Sequence, residues 1–519
     1  MSTSADETAS MMPPGTLRAR SFWSLIEARA DATPDQVAFE DETDRRVTFG
    51  EFRERAEAVA AGLLAVGVRP GSVVSWQLPT TIDTALLMAA LARLSVTQNP
   101  IIPILREREV GYIVAEARTE TFIVRPTWRG FDHGALAREL SNDLGFTVLA
   151  LDELPTGDPG RLPPPPSDEP AVRWLFYTSG STADPKGALH TDASAMAGSN
   201  GFLAYVRPRP DDVMPIAFPI AHIGGISMIT ASFAVGYRIL LLHTFDPVES
   251  PRIMAERGAT ILGSALPFFV AYLAAQRAHG TDPLFPALRV CVNGGAPKPP
   301  ALHAEVKDVL GGLGVVGSWG LTEFPVVTSG GFDDDDDQLA VTEGRASPGV
   351  EIRVVGLDGA DCAQGDEGEL RVRGPQMFSG YANPALNADA IDELGYFRTG
   401  DLGVISPSGH VTITGRVKDI IIRNAENISA TEIENLLHEH PAVADVAVIG
   451  VPDPRTGERV CAIVVAANEQ ALTLADLREF CDERGLAKQK MPERLELVDA
   501  VPRNSMGKAE KVTLRRRFA

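Results

Sequence analysis

A turn rich in glycine and hydroxyl side chains, with one lysine, follows an apolar run that ends at Phe176 and has the composition of a strand. The residues of this turn that suit anion binding are Thr178, Ser179, Gly180, Ser181, Thr182, Lys186 and Gly187. Backbone amides in a tight turn, hydroxyl donors and one ammonium together form a cradle for an anion, and a polyphosphate uses all of them. The pair Lys186-Gly187 reverses the Gly-Lys-Ser/Thr order of a Walker A loop, so this turn is of another kind.

Two later segments carry groups suited to nucleotide chemistry, each after a strand-like run. The first is Asn293-Gly294-Gly295-Ala296-Pro297, whose glycines allow the backbone to approach a flat ligand. The second runs from Gly317 to Glu323 and includes Ser318, Trp319, Gly320 and Thr322. Glu323 is the predicted magnesium ligand, because a hard cation on a polyphosphate needs carboxylate oxygen. Each of these segments alone is typical of a turn after a strand or of the start of a helix. Only their occurrence together, in this order along the chain, indicates a function.

The composition bounds the class of protein. With 519 residues the chain is too long for one hydrophobic core, and we expect at least two domains. The net charge of −21 argues against nucleic acid or an anionic membrane as a partner. Four cysteines without a CxxC pair suit a reducing compartment, and residues 1–20 lack an apolar leader, so we expect a cytoplasmic protein. Nothing in the sequence indicates an oligomeric state.

One apolar stretch, residues 223–242, is long enough to imitate a membrane span. Its glycines and Arg238 instead favour a buried helix followed by a strand, so we expect no membrane span.

The order of apolar runs predicts an α/β fold in two parts. Residues 1–415 should form a large multi-layered domain of sheets and helices that ends in a small β-barrel or antiparallel sheet over 346–415. Residues 416–519 should form a small mobile α+β domain. Within the large part we expect a buried strand at 101–105, and a solvated loop at the acidic run 333–337.

These motifs, in this order, resemble those of the adenylate-forming superfamily, which contains acyl-CoA synthetases, peptide-synthetase adenylation domains and luciferases. The likeness extends from about residue 22 to the end of the chain. Residues 75–110, with Ser75-Trp76-Gln77-Leu78-Pro79, look most like alicyclic and medium-chain acyl-CoA ligases such as cyclohexanecarboxylate–CoA ligase.

The resemblance implies a role for each motif. The turn at 178–187 would bind the ATP phosphates, the 293–297 loop would lie between adenine and the acyl pocket, and Trp319 would stack near adenine. Five further residues would carry the remaining roles: Thr322 on the α-phosphate, Asp401 on the ribose, Arg416 on ribose or phosphate, His222 at the acyl pocket and Lys418 as the interdomain hinge.

Lys508 would complete this set from the C-terminal domain. A compact ammonium there would orient a carboxylate and stabilise charge on the α-phosphoryl group. The implied reaction uses ATP and Mg²⁺ to convert a hydrophobic carboxylic acid to an acyl-adenylate with release of pyrophosphate, and CoA then attacks the acyl-adenylate.

The chain departs from the superfamily pattern at Ala183, which replaces a glycine of the phosphate turn. A second departure leaves the acceptor open, because Asn424-Ala425 replaces a Gly-Gly pair whose second glycine lines the pantetheine tunnel. The motifs therefore support adenylation more directly than transfer to CoA. A carrier-protein phosphopantetheine is the alternative acceptor, and a non-catalytic acyl- or nucleotide-binding protein is the alternative class. Retention of Lys186, Glu323, Asp401 and Lys508 argues against the latter.

Overall fold

The computed structural model describes residues 10–166, 170–178, 185–295, 298–423, 426–467, 472–503 and 508–518. In chain order the strands are β1 Val37–Asp41, β2 Arg46–Thr48, β3 Val73–Gln77, β4 Thr97–Pro100, β5 Thr121–Val124, β6 Thr127–Trp128, β7 Phe131–Asp132, β8 Thr147–Ala150, β9 Val172–Thr178, β10 Lys186–Thr191, β11 Val213–Ile216, β12 Arg238–Leu241, β13 Ile261–Ser264, β14 Val290–Gly294, β15 Val315–Trp319, β16 Thr328–Ser329, β17 Arg345–Ala346, β18 Glu351–Val355, β19 Gly368–Arg373, β20 Phe397–Ile405, β21 Val411–Arg416, β22 Ile420–Arg423, β23 Glu426–Ser429, β24 Val443–Asp453, β25 Gly457–Ala466 and β26 Arg494–Leu497.

The α-helices alternate with these strands through most of the chain. They are α1 Phe22–Ala32, α2 Phe49–Ala65, α3 Ile82–Arg93, α4 Glu107–Glu116, α5 His133–Leu144, α6 Asp192–Ala197, α7 Ile223–Val235, α8 Glu249–Glu256, α9 Leu266–His279, α10 Ala301–Leu310, α11 Asp336–Val341, α12 Asn387–Ala390, α13 Ala430–Leu437, α14 Leu474–Glu483 and α15 Lys511–Phe518.

Three mixed sheets build the body that carries the site. A six-stranded sheet has the order β10-β9-β4-β3-β5-β8, a second has β11-β12-β1-β2, and a third has β13-β14-β15-β16-β17. Strands β13, β14 and β15 are parallel, so their carboxyl ends meet at one edge. The segments that follow β14 and β15 therefore lie side by side. In open α/β sheets this edge is where ligands bind.

A phenylalanine cluster fixes α7, whose first turn enters the site. Phe233 of α7 contacts Phe22, Phe39, Phe49 and Phe52, with ring centroids 5.0 to 6.4 Å apart. The helix ends at Gly236, where φ is +101°, and β12 follows, so the predicted helix and strand are confirmed. Within the described residues, none of the helices has both the length and the apolar character that a membrane crossing requires.

Two antiparallel sheets follow in the last third of the chain. Strands β18 to β21 form a four-stranded sheet. Strands β22 to β25 form the other sheet, and β26 pairs with β25 in parallel. The apolar clusters formed by the second sheet and its helices contain residues from 421 onwards, separate from the clusters of the preceding body. The boundary at residue 416 itself stays a prediction.

Two local predictions were wrong. The first was the buried strand expected at 101–105. The strand there is β4, which ends earlier, at Pro100, and the prediction missed it because its residues are mostly polar. Gln98 donates to the Met88 carbonyl at 2.9 Å and Asn99 donates to Ser75 Oγ at 2.7 Å, and these bonds offset part of the cost of burying the two amides.

The acidic run at 333–337 is not simply a solvated loop. Asp335 caps α11, and its side chain accepts a hydrogen bond from the Gln338 amide. Asp334 is buried, and its Oδ1 lies 2.9 Å from Arg345 Nη2 and 3.0 Å from His410 Nε2. The run therefore starts a helix and anchors an ion pair.

Candidate active site

The predicted phosphate turn connects β9 and β10, which pair in antiparallel fashion. Thr178, the last residue of β9, pairs with Lys186, the first residue of β10. The predicted phosphate ligands Ser179, Gly180, Ser181 and Thr182 lie outside the described residues. The hairpin thus holds the hydroxyl of Thr178 and the ammonium of Lys186 on opposite sides of that turn.

Tyr381 joins the phosphate lysine to the predicted metal ligand. Lys186 Nζ lies 5.5 Å from the centre of the Tyr381 ring. The phenol of Tyr381 donates a 2.6 Å hydrogen bond to Glu323 Oε1. Burial, followed by the charge of Glu323, raises the pKa of Tyr381, so the phenol stays protonated and remains a donor.

A buried histidine, His190, binds the backbone carbonyl of Thr322. His190 Nε2 lies 2.9 Å from the Thr322 carbonyl oxygen, and His190 Nδ1 lies 3.0 Å from Ser194 Oγ. A carbonyl only accepts, so Nε2 carries the proton. Burial lowers the pKa of His190 to about 4, which keeps the imidazole neutral at neutral pH.

The predicted ribose ligand, Asp401, is held at both oxygens. Trp319 Nε1 donates to Asp401 Oδ2 at 2.8 Å, and Arg416 Nε lies 2.7 Å from Oδ1 in an ion pair. Asp401 and Arg416 face each other across β20 and β21. Trp319 and Asp401 are almost fully buried, so the three groups form one rigid unit.

Lys508 comes from the C-terminal part of the chain and is close enough to Arg416 and Asp401 to interact with their charges. Burial lowers its pKa to about 8; Arg416 and Lys418 also lower it, whereas Asp401 and Glu323 raise it. The same ammonium helps to lower the pKa of His222 to about 4, although burial is the main cause. The structure therefore brings Lys508 to the charges of the large part of the chain.

His222 is the residue before α7 and presents one N–H. Its Nδ1 accepts a hydrogen bond from the Gly224 amide at 3.1 Å, so Nε2 carries the proton. A side chain at Gly224 would meet His222 Nδ1 at 3.3 Å and the Phe218 ring at 3.6 Å. Gly224 thus lies close to the acceptor nitrogen of a neutral imidazole and to an aromatic ring.

The loop after β14 lies beside the end of β15. Gly294 pairs with Ser318, and an added Cβ at Gly294 would meet nothing closer than the Ser318 carbonyl oxygen at 3.8 Å. Gly295 has a φ of +79°, which favours glycine. Ala296 and Pro297 lie outside the described residues, as do Asn424 and Ala425 of the predicted pantetheine tunnel.

A buried ion pair lies behind these two segments. Lys298 Nζ donates to the Thr342 carbonyl at 2.7 Å and lies 3.8 Å from Glu343 Oε1. A Cβ at Gly317 would meet Glu343 Oε2 at 2.4 Å, so this glycine makes room for the carboxylate rather than for a nucleotide. Ser318 Oγ donates to the Thr328 carbonyl at 3.2 Å, and Gly320 packs against Val326.

The described residues fit a nucleotide-borne magnesium ion. Among them, no three His, Cys, Asp or Glu side chains form a ready-made metal site. Magnesium beside phosphates is commonly held by one or two carboxylates together with phosphate oxygens. Glu323, with Oε1 fixed by Tyr381, supplies one such carboxylate near Lys186.

Sequence motifs thus led to most of the residues that meet here, whereas three partners were missed. Tyr381 and His190 each contact a motif residue that is distant in the sequence, and Lys298 is a buried lysine in a polar-looking segment. His190 is buried in β10 together with Gly187 and Ala188, and no local motif marks it.

An α/β body with a candidate nucleotide site, together with a small C-terminal sheet unit whose lysine interacts with the charges of that site, is the architecture expected of the two-part adenylate-forming enzymes. A profile of the AMP-binding enzyme family matches residues 26–382, and a profile of the AMP-binding enzyme C-terminal domain matches residues 432–508. The chain belongs to the AMP-binding enzyme family, and the predicted adenylate-forming superfamily is confirmed.

Relatives and solved structures agree over nearly the whole chain. A medium-chain fatty-acid–CoA ligase of Escherichia coli K12 is 28% identical over 512 residues, which cover 95% of this chain and 89% of the relative. A salicyl-AMP ligase/salicyl-S-ArCP synthetase of Mycobacterium tuberculosis H37Rv is 30% identical, with coverage of 98% and 92%. The crystal structure of ATP-bound MatB from Rhodopseudomonas palustris matches with a TM-score of 0.86 and 29% identity over 96% of this chain and 99% of that chain, which confirms the predicted fold class.

Proposed function

We propose that the protein uses ATP to activate a hydrophobic monocarboxylic acid as its acyl-adenylate, releases pyrophosphate, and transfers the acyl group to CoA. The observation that carries this proposal is the position of Lys508. It lies among Glu323, Asp401 and Arg416, where a residue from the C-terminal part can act on a nucleotide bound to the large part.

In the first half-reaction a carboxylate oxygen attacks the α-phosphorus, and the bond from phosphorus to the pyrophosphate oxygen breaks. Lys508 would orient the attacking carboxylate and stabilise the charge that develops on the α-phosphoryl oxygens. Lys186 and the hydroxyl of Thr178 would hold the phosphates, and Asp401 would hold the ribose. Mg²⁺, held by Glu323 and the phosphates, supplies charge neutralisation when bound.

His222 supports the choice of an uncharged acyl group. Its pKa of about 4 leaves it neutral at neutral pH, and its Nε2–H faces away from the Gly224 amide. Phe218 lies beside the same glycine and is partly exposed. A neutral donor next to an aromatic ring suits an acid whose only charge is the reacting carboxylate.

In the second half-reaction the thiol sulfur attacks the acyl carbonyl, its proton leaves, and AMP departs. We propose that the unit from residue 416 onwards turns about Lys418, which removes Lys508 from the site before the thiol enters. The Lys418 side chain is exposed in the present arrangement, which suits a hinge residue that need not contact substrate.

The test measures acid-dependent ATP–pyrophosphate exchange over a panel of short, medium, aromatic, alicyclic and polycyclic acids, with and without CoA. We expect exchange with an apolar acid and thioester formation when CoA is added. Lys508→Ala should abolish exchange, with a loss on the order of 3 kcal/mol or more, while largely sparing use of a preformed acyl-adenylate. Equal loss of both steps would contradict the role of Lys508.

A carrier-protein phosphopantetheine is the second candidate acceptor. It is favoured by the similarity to a salicyl-S-ArCP synthetase and by Asn424-Ala425, the pair that replaces Gly-Gly. Pyrophosphate release without a CoA thioester, together with acylation of a phosphopantetheinyl carrier protein, would select this alternative.

A further inference from the structure

The hydrogen bond from Trp319 to Asp401 gives the tryptophan a role beyond an aromatic surface. The donor atom Nε1 lies 2.8 Å from Oδ2, and the residues are 7% and 2% exposed, so water does not compete for this bond. An indole N–H can only donate, so Trp319 is the donor of this hydrogen bond and the carboxylate of Asp401 is the acceptor.

The backbone of Asp401 is fixed independently of the tryptophan. Its amide donates to Thr399 Oγ1 at 3.0 Å, and that hydroxyl donates to the Leu370 carbonyl at 2.6 Å. The remaining freedom of the residue lies in its side-chain torsions. Trp319 is held by its place at the end of β15 and by an apolar cluster that includes Phe324 and Leu370.

The two oxygens of Asp401 are consequently not equivalent. Oδ2 takes the indole N–H, whereas the buried Oδ1 accepts no hydrogen bond within the described part of the chain. Arg416 Nε lies 2.7 Å from Oδ1 and balances its charge. Because each carboxylate oxygen has two lone pairs, Oδ1 beside Arg416 retains acceptor capacity for a ligand hydroxyl.

We infer that Trp319 is a positioning residue, whose indole N–H turns the Asp401 carboxylate so that it receives ribose hydroxyls and makes the site prefer a ribonucleotide to a deoxyribonucleotide. This inference rests on the proposed function, because it takes Asp401 to be the ribose ligand. Trp319 acts through Asp401 and need not touch the reacting atoms.

The chain offers a matched control. Trp174 is also fully buried, and its Nε1 donates to Asp192 Oδ1 at 2.7 Å. Trp174→Phe therefore removes an indole–carboxylate hydrogen bond of nearly the same length at a place with no role in the ribose contact. General effects of losing such a bond should appear in both variants.

The experiment measures the ratio of kcat/KM for ATP to that for 2′-deoxy-ATP in pyrophosphate exchange. Trp319→Phe should reduce this ratio about tenfold, mainly through KM for ATP, because a hydrogen bond to a charged group is lost. Trp174→Phe should leave the ratio unchanged. Replacement of Trp319 by benzothienylalanine, which keeps the ring and removes only the N–H, should reproduce the reduced ratio even if the phenylalanine variant folds poorly.

Three results would overturn the inference. They are an unchanged ratio in the benzothienylalanine protein, an equal loss for both nucleotides in Trp319→Phe, and the same change in Trp174→Phe. The variant Asp401→Asn distinguishes a wrong role for Trp319 from a wrong assignment of Asp401 as the ribose ligand. If it leaves the ratio unchanged, Asp401 itself is not the ribose ligand; if it lowers the ratio while the Trp319 variants do not, only the tryptophan's role is wrong.

Discussion

The phenol oxygen of Tyr381 lies 2.6 Å from Glu323 Oε1 and donates a hydrogen bond to it. Tyr381 follows β19, and an isolated bridge pairs it with Ala188 of β10. One side chain therefore connects the phosphate hairpin, the segment after β15 and the loop before β20. This connection fixes one oxygen of the carboxylate that we propose for magnesium.

Tyr381→Phe should weaken use of Mg–ATP. A hydrogen bond to a charged group contributes about 1.5 to 3 kcal/mol, so we expect kcat/KM for ATP in pyrophosphate exchange to fall about tenfold or more. The concentration of Mg²⁺ for half-maximal exchange should rise as well. Tyr205→Phe is the control, because that phenol donates to the Ala346 carbonyl at 2.7 Å and does not contact Glu323. A fall of equal size in both variants would show that the effect is not specific to the carboxylate.

The pKa of Lys508 predicts an alkaline limit to the first half-reaction. Burial lowers this pKa to about 8, and the proposed role requires the ammonium form. The kcat/KM for pyrophosphate exchange, which reports the free enzyme, should therefore decrease as the pH rises through about 8. Lys508→Arg should retain less activity but lose this limb, since a guanidinium stays protonated. A limb at the same pH in the arginine variant would assign it to another group.

The sequence predicted the parts of the site that are local in the chain. The predicted phosphate turn and the segments after β14 and β15 each follow a strand, as their glycine and hydroxyl residues indicated, whereas Thr399-Gly400-Asp401 lies within β20. Lys508, near the C-terminus, interacts with the charges of Arg416, Asp401 and Glu323. The roles of these residues stay predictions, as do those of the turn residues outside the described ranges.

Contacts across the chain could not be predicted in the same way. The Tyr381–Glu323 pair is separated by 58 residues and the Trp319–Asp401 pair by 82, and no local pattern marks either. Trp319 was expected to offer a ring face, whereas the structure also uses its N–H. The strand predicted at 101–105 failed for a related reason, because hydrogen bonds from β4 to α3 and β3 allow Gln98 and Asn99 to be buried.

Lys298 and Glu343 should contribute to the stability of the fold as a coupled pair. Burial raises the pKa of Glu343 and Lys298 opposes this, so removal of the lysine leaves a costly carboxylate inside the protein. Lys298→Met should destabilise the fold by about 3 to 5 kcal/mol, whereas Lys298→Met combined with Glu343→Leu should recover most of the loss. Thermal unfolding midpoints of the two single variants and the double variant test this. Additive losses in the double variant would contradict the coupling.

Buried histidines should make the fold sensitive to mild acid. His190, like His133 and His222, has its pKa lowered to about 4, mainly by burial, compared with 6.5 in the unfolded chain. Between these values the unfolded state binds a proton that the folded state does not, so stability should fall as the pH falls from about 6.5 towards 4. For His190 alone the loss amounts to about 2 kcal/mol at pH 5.

His190→Gln isolates this contribution, because an amide can still donate to the Thr322 carbonyl but does not titrate. The variant should lose less stability than the parent protein between pH 7.5 and 5, measured as the change in urea midpoint at each pH. His279→Gln, at the exposed end of α9, should behave as the parent does. If His190→Gln shows the full acid sensitivity of the parent protein, the proton that destabilises the fold is taken up elsewhere, and the neutral imidazole behind Thr322 is not its source.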